Sequence, residues 1–172
     1  AFRRSYGGSL AKLAAAYAAK GATVGALDAD KQALAIRSKL AADSPAQGDF
    51  KNELAATESE YGRLAGDAKL VASGLGRARA LIANDPNAIE WKETLVQGLL
   101  AEGAIGADRA TALDEARATA EAALAHSPEN VFWPGYLAEA YVGLGQLEKA
   151  RELLAPLARA GRLPATRQAL LK

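Results

Sequence analysis

Apolar positions along this chain recur at helical spacing in about eight runs, and each run ends on glycine or proline. Leu10, Leu13, Ala14 and Tyr17 form the first stripe, which predicts a helix from near Phe2 to the break at Lys20-Gly21. Leu27, Ala33, Leu34, Ile36 and Leu40 mark a second helix over about residues 24–41, stopped by Asp43-Ser44-Pro45, because the residue before proline is pushed out of α geometry. Leu54, Tyr61 and Leu64 define a third helix that opens on Gly48-Asp49-Phe50, with Asp49 as its expected N-cap. Gly66-Asp67 predicts the turn into a fourth helix over residues 68–83, ended by Asn84-Asp85-Pro86. Gly74 and Gly76 lie inside that helix and are expected to weaken it by roughly 1 kcal/mol each against alanine.

Trp91, Leu95, Leu99 and Leu100 mark the fifth helix, with the segment from Gly103 to Ala107 as its break. Asp108 is placed to cap a sixth helix over residues 109–125, whose stripe is Ala116, Ala120, Ala123 and Leu124 and whose stop is His126-Ser127-Pro128. The last pair reads Trp133-Pro134-Gly135-Tyr136-Leu137-Ala138, then Tyr141, Gly145, Ala150 and Leu154. Pro156 should end or kink its second helix early. A short helix from Pro164 to Leu171, with proline in its first turn, is expected to cap the end.

Pro45, Pro86 and Pro128 stand 41 and 42 residues apart, and Phe50, Trp91 and Trp133 follow them at matching offsets, with Phe2 one period earlier. A fixed period of this length means one helical hairpin repeated about four times, and such a unit must stack on its neighbours to bury its stripe. The expected architecture is all-α: a right-handed helix-pair solenoid with units at about 2–45, 50–86, 91–128 and 131–163 and a cap at 164–172. The chain begins Ala-Phe-Arg-Arg and holds no methionine, as expected of a fragment of a longer protein.

Composition changes this picture by exclusion. Half of the 172 residues are apolar, and the 21 basic and 20 acidic residues leave a net charge of +1, which gives no general attraction to nucleic acid or anionic lipid. Without cysteine, disulfide frameworks, zinc fingers and thiol nucleophiles are ruled out. No apolar run is long enough to span a membrane. His126 is the one histidine and sits in a helix stop; no Gly-x-Ser-x-Gly elbow accompanies it. The glycines at 74, 76, 103 and 106 lack the Lys-Ser/Thr of a phosphate-binding loop. Glu58 with Glu60, and Asp28 with Asp30, are two residues apart, point to different helix faces and are read as solvated surface. No enzyme activity, metal or cofactor is expected. The compartment, cytoplasmic or periplasmic, stays open.

The spacing of Leu137, Ala138, Tyr141, Gly145 and Ala150 resembles the tetratricopeptide repeat, as do Ala116, Ala120, Ala123 and Pro128, Leu13, Ala14, Tyr17 and Ala26, and Tyr61-Gly62, Ala78 and Pro86. The segment from Ala33 to Leu54 is similar to the longer repeats behind bacterial Ser/Thr protein kinases, although no kinase motif lies in the chain. The resemblance implies a scaffold that binds a protein or peptide on a concave face built from the first helix of each pair. The alternative it implies is a sensor, docking or self-association module of a bacterial kinase, with homo-oligomer formation compatible with that role. Counted from the matched positions, the polar residues on the concave face are Arg63, Asp67, Asp108, Arg109 and Glu139, among small ones at Ala11, Ala15, Ala18, Gly135 and Gly143. The lysine-and-asparagine clamp for chaperone C-terminal peptides is not evident. Arg151, Arg159, Arg162, Arg167 and Lys172 make the C-terminal end basic.

Overall fold

Alanine and leucine, strong helix formers, carry the chain through eight α-helices, with no strand among the described residues. The structure is a computed structural model and describes residues 2–130, 132–163, 167–168 and 170. In chain order the helices are α1 (Phe2–Ala19), α2 (Thr23–Asp43), α3 (Gly48–Ala65), α4 (Ala68–Asn84), α5 (Ile89–Ile105), α6 (Arg109–His126), α7 (Trp133–Gly143) and α8 (Leu147–Arg159). They pair as four consecutive hairpins, and each hairpin packs on the next through α2 on α3, α4 on α5 and α6 on α7. Phe2, Phe50, Trp91 and Trp133 stand in the first turns of α1, α3, α5 and α7. The expected helix-pair solenoid is therefore the fold.

The turns repeat as faithfully as the helices. Within the first, second and fourth hairpins the chain reverses at Gly21, Gly66 and Gly145, with φ of 72°, 70° and 75°, a conformation that costs an L side chain dearly and glycine little. Between hairpins, Ser44, Asp85 and Ser127 each close the preceding helix, through N–H bonds to the carbonyls of Leu40, Leu81 and Ala123. Each then accepts, at its own carbonyl, the N–H three residues on: Gln47, Ala88 and Asn130. The X-Pro step thus makes one turn three times.

Several local expectations change. Asp49 lies in the first turn of α3, while Gln47 holds the N-cap position without a capping side chain. Asp67 does cap α4, its carboxylate accepting from the N–H groups of Lys69 and Leu70 at 3.1 Å each; Asp108 holds the same position on α6 without a side-chain bond. The break in the third hairpin falls at Gly106, because α5 runs on to Ile105 and Gly103 is buried inside it, tight against Leu113. Pro156 does not stop α8, which continues to Arg159. Proline forfeits one N–H bond there, and Leu157 and Ala158 beyond it hold the turn by packing on the Leu154–Leu163 cluster. Of the expected cap at 164–172, residues 164–166, 169, 171 and 172 lie outside the described residues.

The main core runs from Val71 and Leu75 in α4, through Leu95, Val96 and Leu99 in α5, to Trp133, Tyr136 and Leu137 in α7. The first hairpin is held mostly by alanine: Ala14, Ala26, Ala29 and Ala33 are buried, while Leu13 and Tyr17, expected in the stripe, are exposed. Along the stack α3 packs on α5 and α5 on α7, whereas α1 and α3 do not pack together to that extent. Arg4 instead reaches the start of α3, bonding Glu53 at 2.7 Å and Asp49 at 3.2 Å.

Gly74 is not a flaw in α4. A Cβ there would lie 2.5 Å from Ser59 Oγ and 2.7 Å from the Ala55 carbonyl oxygen, so glycine sets how closely α4 crosses α3. Gly74→Ala is expected to lower stability by about 1–3 kcal/mol through overpacking, despite the gain in helix propensity. Gly76, whose Cβ position is open, is the control: Gly76→Ala should raise the urea midpoint. A rise at both positions would refute the close crossing.

Candidate functional site

The first helices of all four hairpins converge on one cavity of about 760 Å³. Helix α1 supplies Ala15, Ala18 and Ala19; α3 supplies Ala56, Ser59, Glu60 and Arg63; α5 supplies Gln97, Leu100, Ala101 and Ala104. Helix α7 closes it with Tyr136, Glu139, Val142 and Gly143, while Arg109 and Leu113 enter from α6 and Arg167 from beyond α8. Alanine on α1 and α3 makes the room: the same helical positions with larger side chains would fill the gap between the two helices.

Charge in the cavity is arranged in pairs with one cation left over. Arg63 forks onto Glu60, Nε to Oε2 at 3.0 Å and Nη2 to Oε1 at 2.6 Å. That hydrogen bond raises the Arg63 pKa against the opposing effect of burial. Arg167 Nη2 lies 3.0 Å from Glu139 Oε1, and its guanidinium sits 4.3 Å over the Tyr136 ring. Burial pushes the Glu139 carboxyl up, with Arg167 and Arg63 pulling it back. Tyr136 donates its hydroxyl proton to Glu93 Oε1 and accepts from Gln97 Nε2, both at 2.6 Å; burial raises its phenol strongly. Three arginines against two glutamates leave the lining with one net positive charge, and Arg109 has no ion pair among the described residues. Ser59 Oγ and Arg167 Nη1 are buried on the wall without a hydrogen-bond partner.

Residues 99–172 match the tetratricopeptide repeat family. No curated protein and no solved structure matches the chain. The matched stretch takes in the end of α5 and all of α6, α7 and α8. There the small positions of the tetratricopeptide pattern are the helix crossings: Ala116, Ala120, Ala138 and Ala150 are all fully buried. Tetratricopeptide repeats are non-catalytic scaffolds that generally mediate protein–protein interaction.

Of the five residues expected on the partner face, Arg63, Arg109 and Glu139 line the cavity. Asp67 is exposed and engaged as the α4 cap, and Asp108 is exposed at the start of α6; neither is in the lining. Ala15, Ala18 and Gly143 line it too, while Gly135 is buried under the Arg167 guanidinium. Glu60, Ser59, Gln97 and Arg167 were not foreseen; the signal for Glu60 was its position three residues before Arg63 on one helix face.

The two acidic pairs read as solvated surface each hold a buried member. Glu58 is buried and bonded by Arg77 Nε at 2.9 Å across α3 and α4. Asp30 is 2% exposed, and its Oδ2 has no hydrogen-bond partner. Neighbouring Arg37 is occupied with the Glu53 carbonyl and the Thr57 hydroxyl. Elsewhere His126 closes α6 and lines a second groove of about 690 Å³ with Lys92 and Trp133. Of the adjacent aromatics at the start of α7, Trp133 is buried and Phe132 exposed; Val131 lies outside the described residues. Among the described residues no cluster of acidic or histidine side chains could hold a metal, and no helix is long and apolar enough to cross a membrane.

Proposed function

We propose that the chain is a single binding module of four helical hairpins, and that it takes an extended segment of a protein or peptide across the cavity without chemistry of its own. What supports this most is that all four first helices meet there, so one ligand strand can touch every hairpin at once. The alanine and glycine of the wall leave room for a backbone. The Arg63–Glu60 and Arg167–Glu139 pairs hold their charges in fixed positions, and Arg109, without an ion pair among the described residues, can fork onto a ligand carboxylate by two parallel hydrogen bonds.

Arg63→Ala or Arg109→Ala is expected to weaken the native partner by about 1–3 kcal/mol. Arg79 is the control: it joins α4 to α6 through Glu115 at 2.6 Å, on second helices and largely exposed, so Arg79→Ala should leave affinity unchanged. The measurement is titration calorimetry with the partner recovered from the source cell. Equal loss at Arg79, or no loss at Arg63 and Arg109, would move the site off this face. The narrower reading, a sensor or docking module of a bacterial Ser/Thr kinase, is supported by the likeness of the segment from Ala33 to Leu54 alone. The full gene tests it: without a kinase domain it falls.

A further inference from the structure

The second groove opens where the third hairpin meets the fourth, and the repeat itself explains why it is open. One period before Ala118, Thr119 and Ala123 of α6 stand Gly76, Arg77 and Leu81 of α4. One period before Ile89 stands Gly48, and one before Trp133 stands Trp91. At the earlier junction the Trp91 ring lies on Gly48, 2.8 Å from where a Cβ would stand, and Leu81 comes within 3.8 Å of the same point. Arg77 there reaches across to Glu58. That junction is filled by its own side chains. At the later one Ile89 puts a Cβ where such a ring would lie, and the Trp133 indole is drawn into the core, 2% exposed. Alanine and threonine stand where leucine and arginine stood. What is left is a groove of about 690 Å³, within the ~300–1,000 Å³ of ligand clefts. It is formed by two hairpins inside the stack and owes nothing to where the stack ends.

The groove has an apolar floor and a basic rim. Ile89 at the start of α5 is 42% exposed, and Ala118, Ala122 and Ala123 of α6 face it beside Trp133. Phe132, next to Trp133 in the chain, adds a ring that is 56% exposed. Lys92 and His126 also line the groove, and neither has an ion pair among the described residues. No carboxylate belongs to the lining. Asn87 is exposed there, with its side-chain amide unbonded among the described residues. Apolar surface beside an unneutralised cation is complementary to a large apolar side chain beside a carboxylate.

We propose that this groove is a second docking site, and that it takes a short acidic segment of a partner protein anchored by a large apolar side chain. The anchor lies on Ile89, Ala122 and the Trp133 indole. The carboxylate next to it accepts from the Lys92 ammonium and the His126 imidazole, and Asn87 offers its amide to the backbone of the segment. The groove shares no lining residue with the cavity, so the two sites are independently testable.

The probe is the acetylated, amidated octapeptide Gly-Asp-Glu-Leu-Phe-Glu-Asp-Gly, with one twin carrying alanine for leucine and phenylalanine and another carrying lysine at every acidic position. Each is titrated into the nitrogen-15-labelled 172-residue chain and followed by NMR. The first peptide should shift the amide signals of Lys92, Ala122 and His126 saturably, and each twin should bind roughly ten-fold more weakly or worse. Ala122→Glu places a carboxylate in the groove and should weaken the peptide roughly ten-fold. Because Ala122 is exposed, the circular dichroism and thermal midpoint of that variant should match the parent. Lys92→Ala should weaken the peptide roughly three-fold, and Arg109→Ala should bind it as the parent does. Absence of saturable shifts, equal binding of either twin, or indifference to both Ala122→Glu and Lys92→Ala would overturn the proposal. Shifts confined to Ala15, Arg63 and Glu139 would also overturn it, by moving the peptide to the cavity. So would a dimer in sedimentation velocity that Ala122→Glu abolishes, which would give the groove to a second copy.

Discussion

Trp133→Ala is expected to lower the unfolding free energy by about 3–5 kcal/mol, the range for removing a fully buried large aromatic. The indole is 2% exposed and sets its edge against Tyr136, with centroids 5.9 Å apart and planes at 64°. It belongs to the core cluster that holds Leu95 and Leu99 of α5 and Ala120 of α6. Tyr136 sits on the same helix and is tied to Glu93 and Gln97 of α5, so loss of the indole also loosens the polar fastening beside it. Stacked repeats couple mainly through nearest-neighbour interfaces. Urea unfolding followed by circular dichroism should therefore show an earlier and broader transition, with the fourth hairpin leaving first. A midpoint equal to that of the parent would show that the junction is held elsewhere.

Asp30→Asn should stabilise the protein at neutral and alkaline pH. Burial, reinforced by Glu60 and opposed by Arg37 and Arg63, raises the Asp30 carboxyl from 3.8 to about 7. The unfolded chain releases this proton near the ordinary value, so between those limits the folded state binds the extra proton. The favourable contribution is complete below about 3.8 and is lost as pH rises through about 7. Over the roughly three pH units between those values, at ~1.4 kcal/mol per unit, the loss comes to ~4 kcal/mol. Asparagine keeps the shape and removes the charge. The gap between variant and parent should thus be small at pH 4 and reach ~4 kcal/mol at pH 8, read from urea midpoints at both. A gap of the same size at both pH values would place the Asp30 carboxylate in a solvated or well-paired setting.

What could be read from the chain was whatever depends on neighbours in sequence. Gly21, Gly66 and Gly145 take positive φ because no side chain stands in the way, and Pro45, Pro86 and Pro128 end helices by local sterics. These fixed the hairpins to within a few residues, and counting offsets along them put Arg63, Arg109 and Glu139 on the wall of one cavity. What escaped depends on residues brought from elsewhere. Glu58 looks solvated until Arg77, on the next helix, is folded against it. Gly74 looks like a weak point until Ser59 and Ala55 close over it. Asp30 carries no mark of burial, since the side chains that enclose it come from outside its own turn of helix. Leu13 and Tyr17 obey the helical period, but a period cannot say whether a neighbour exists to cover them.

The way α1 is attached has a consequence for how the molecule opens. Lengthwise its main packing is on α2, and Arg4 ties it to α3 at the surface through Asp49, Glu53 and the Phe50 ring. The interior it shares with α2 is mostly alanine, which gains little from leaving water compared with the leucine, valine and tryptophan of the later hairpins. A linear stack does not loosen evenly; it comes apart where the link is thinnest. Helix α1, Phe2–Ala19, is therefore expected to be the leaf that swings open and recloses while the remainder stays folded. Such a leaf is also one wall of the cavity, so a strand lying across the stack need not be threaded in from an end. It can be admitted sideways and then clasped.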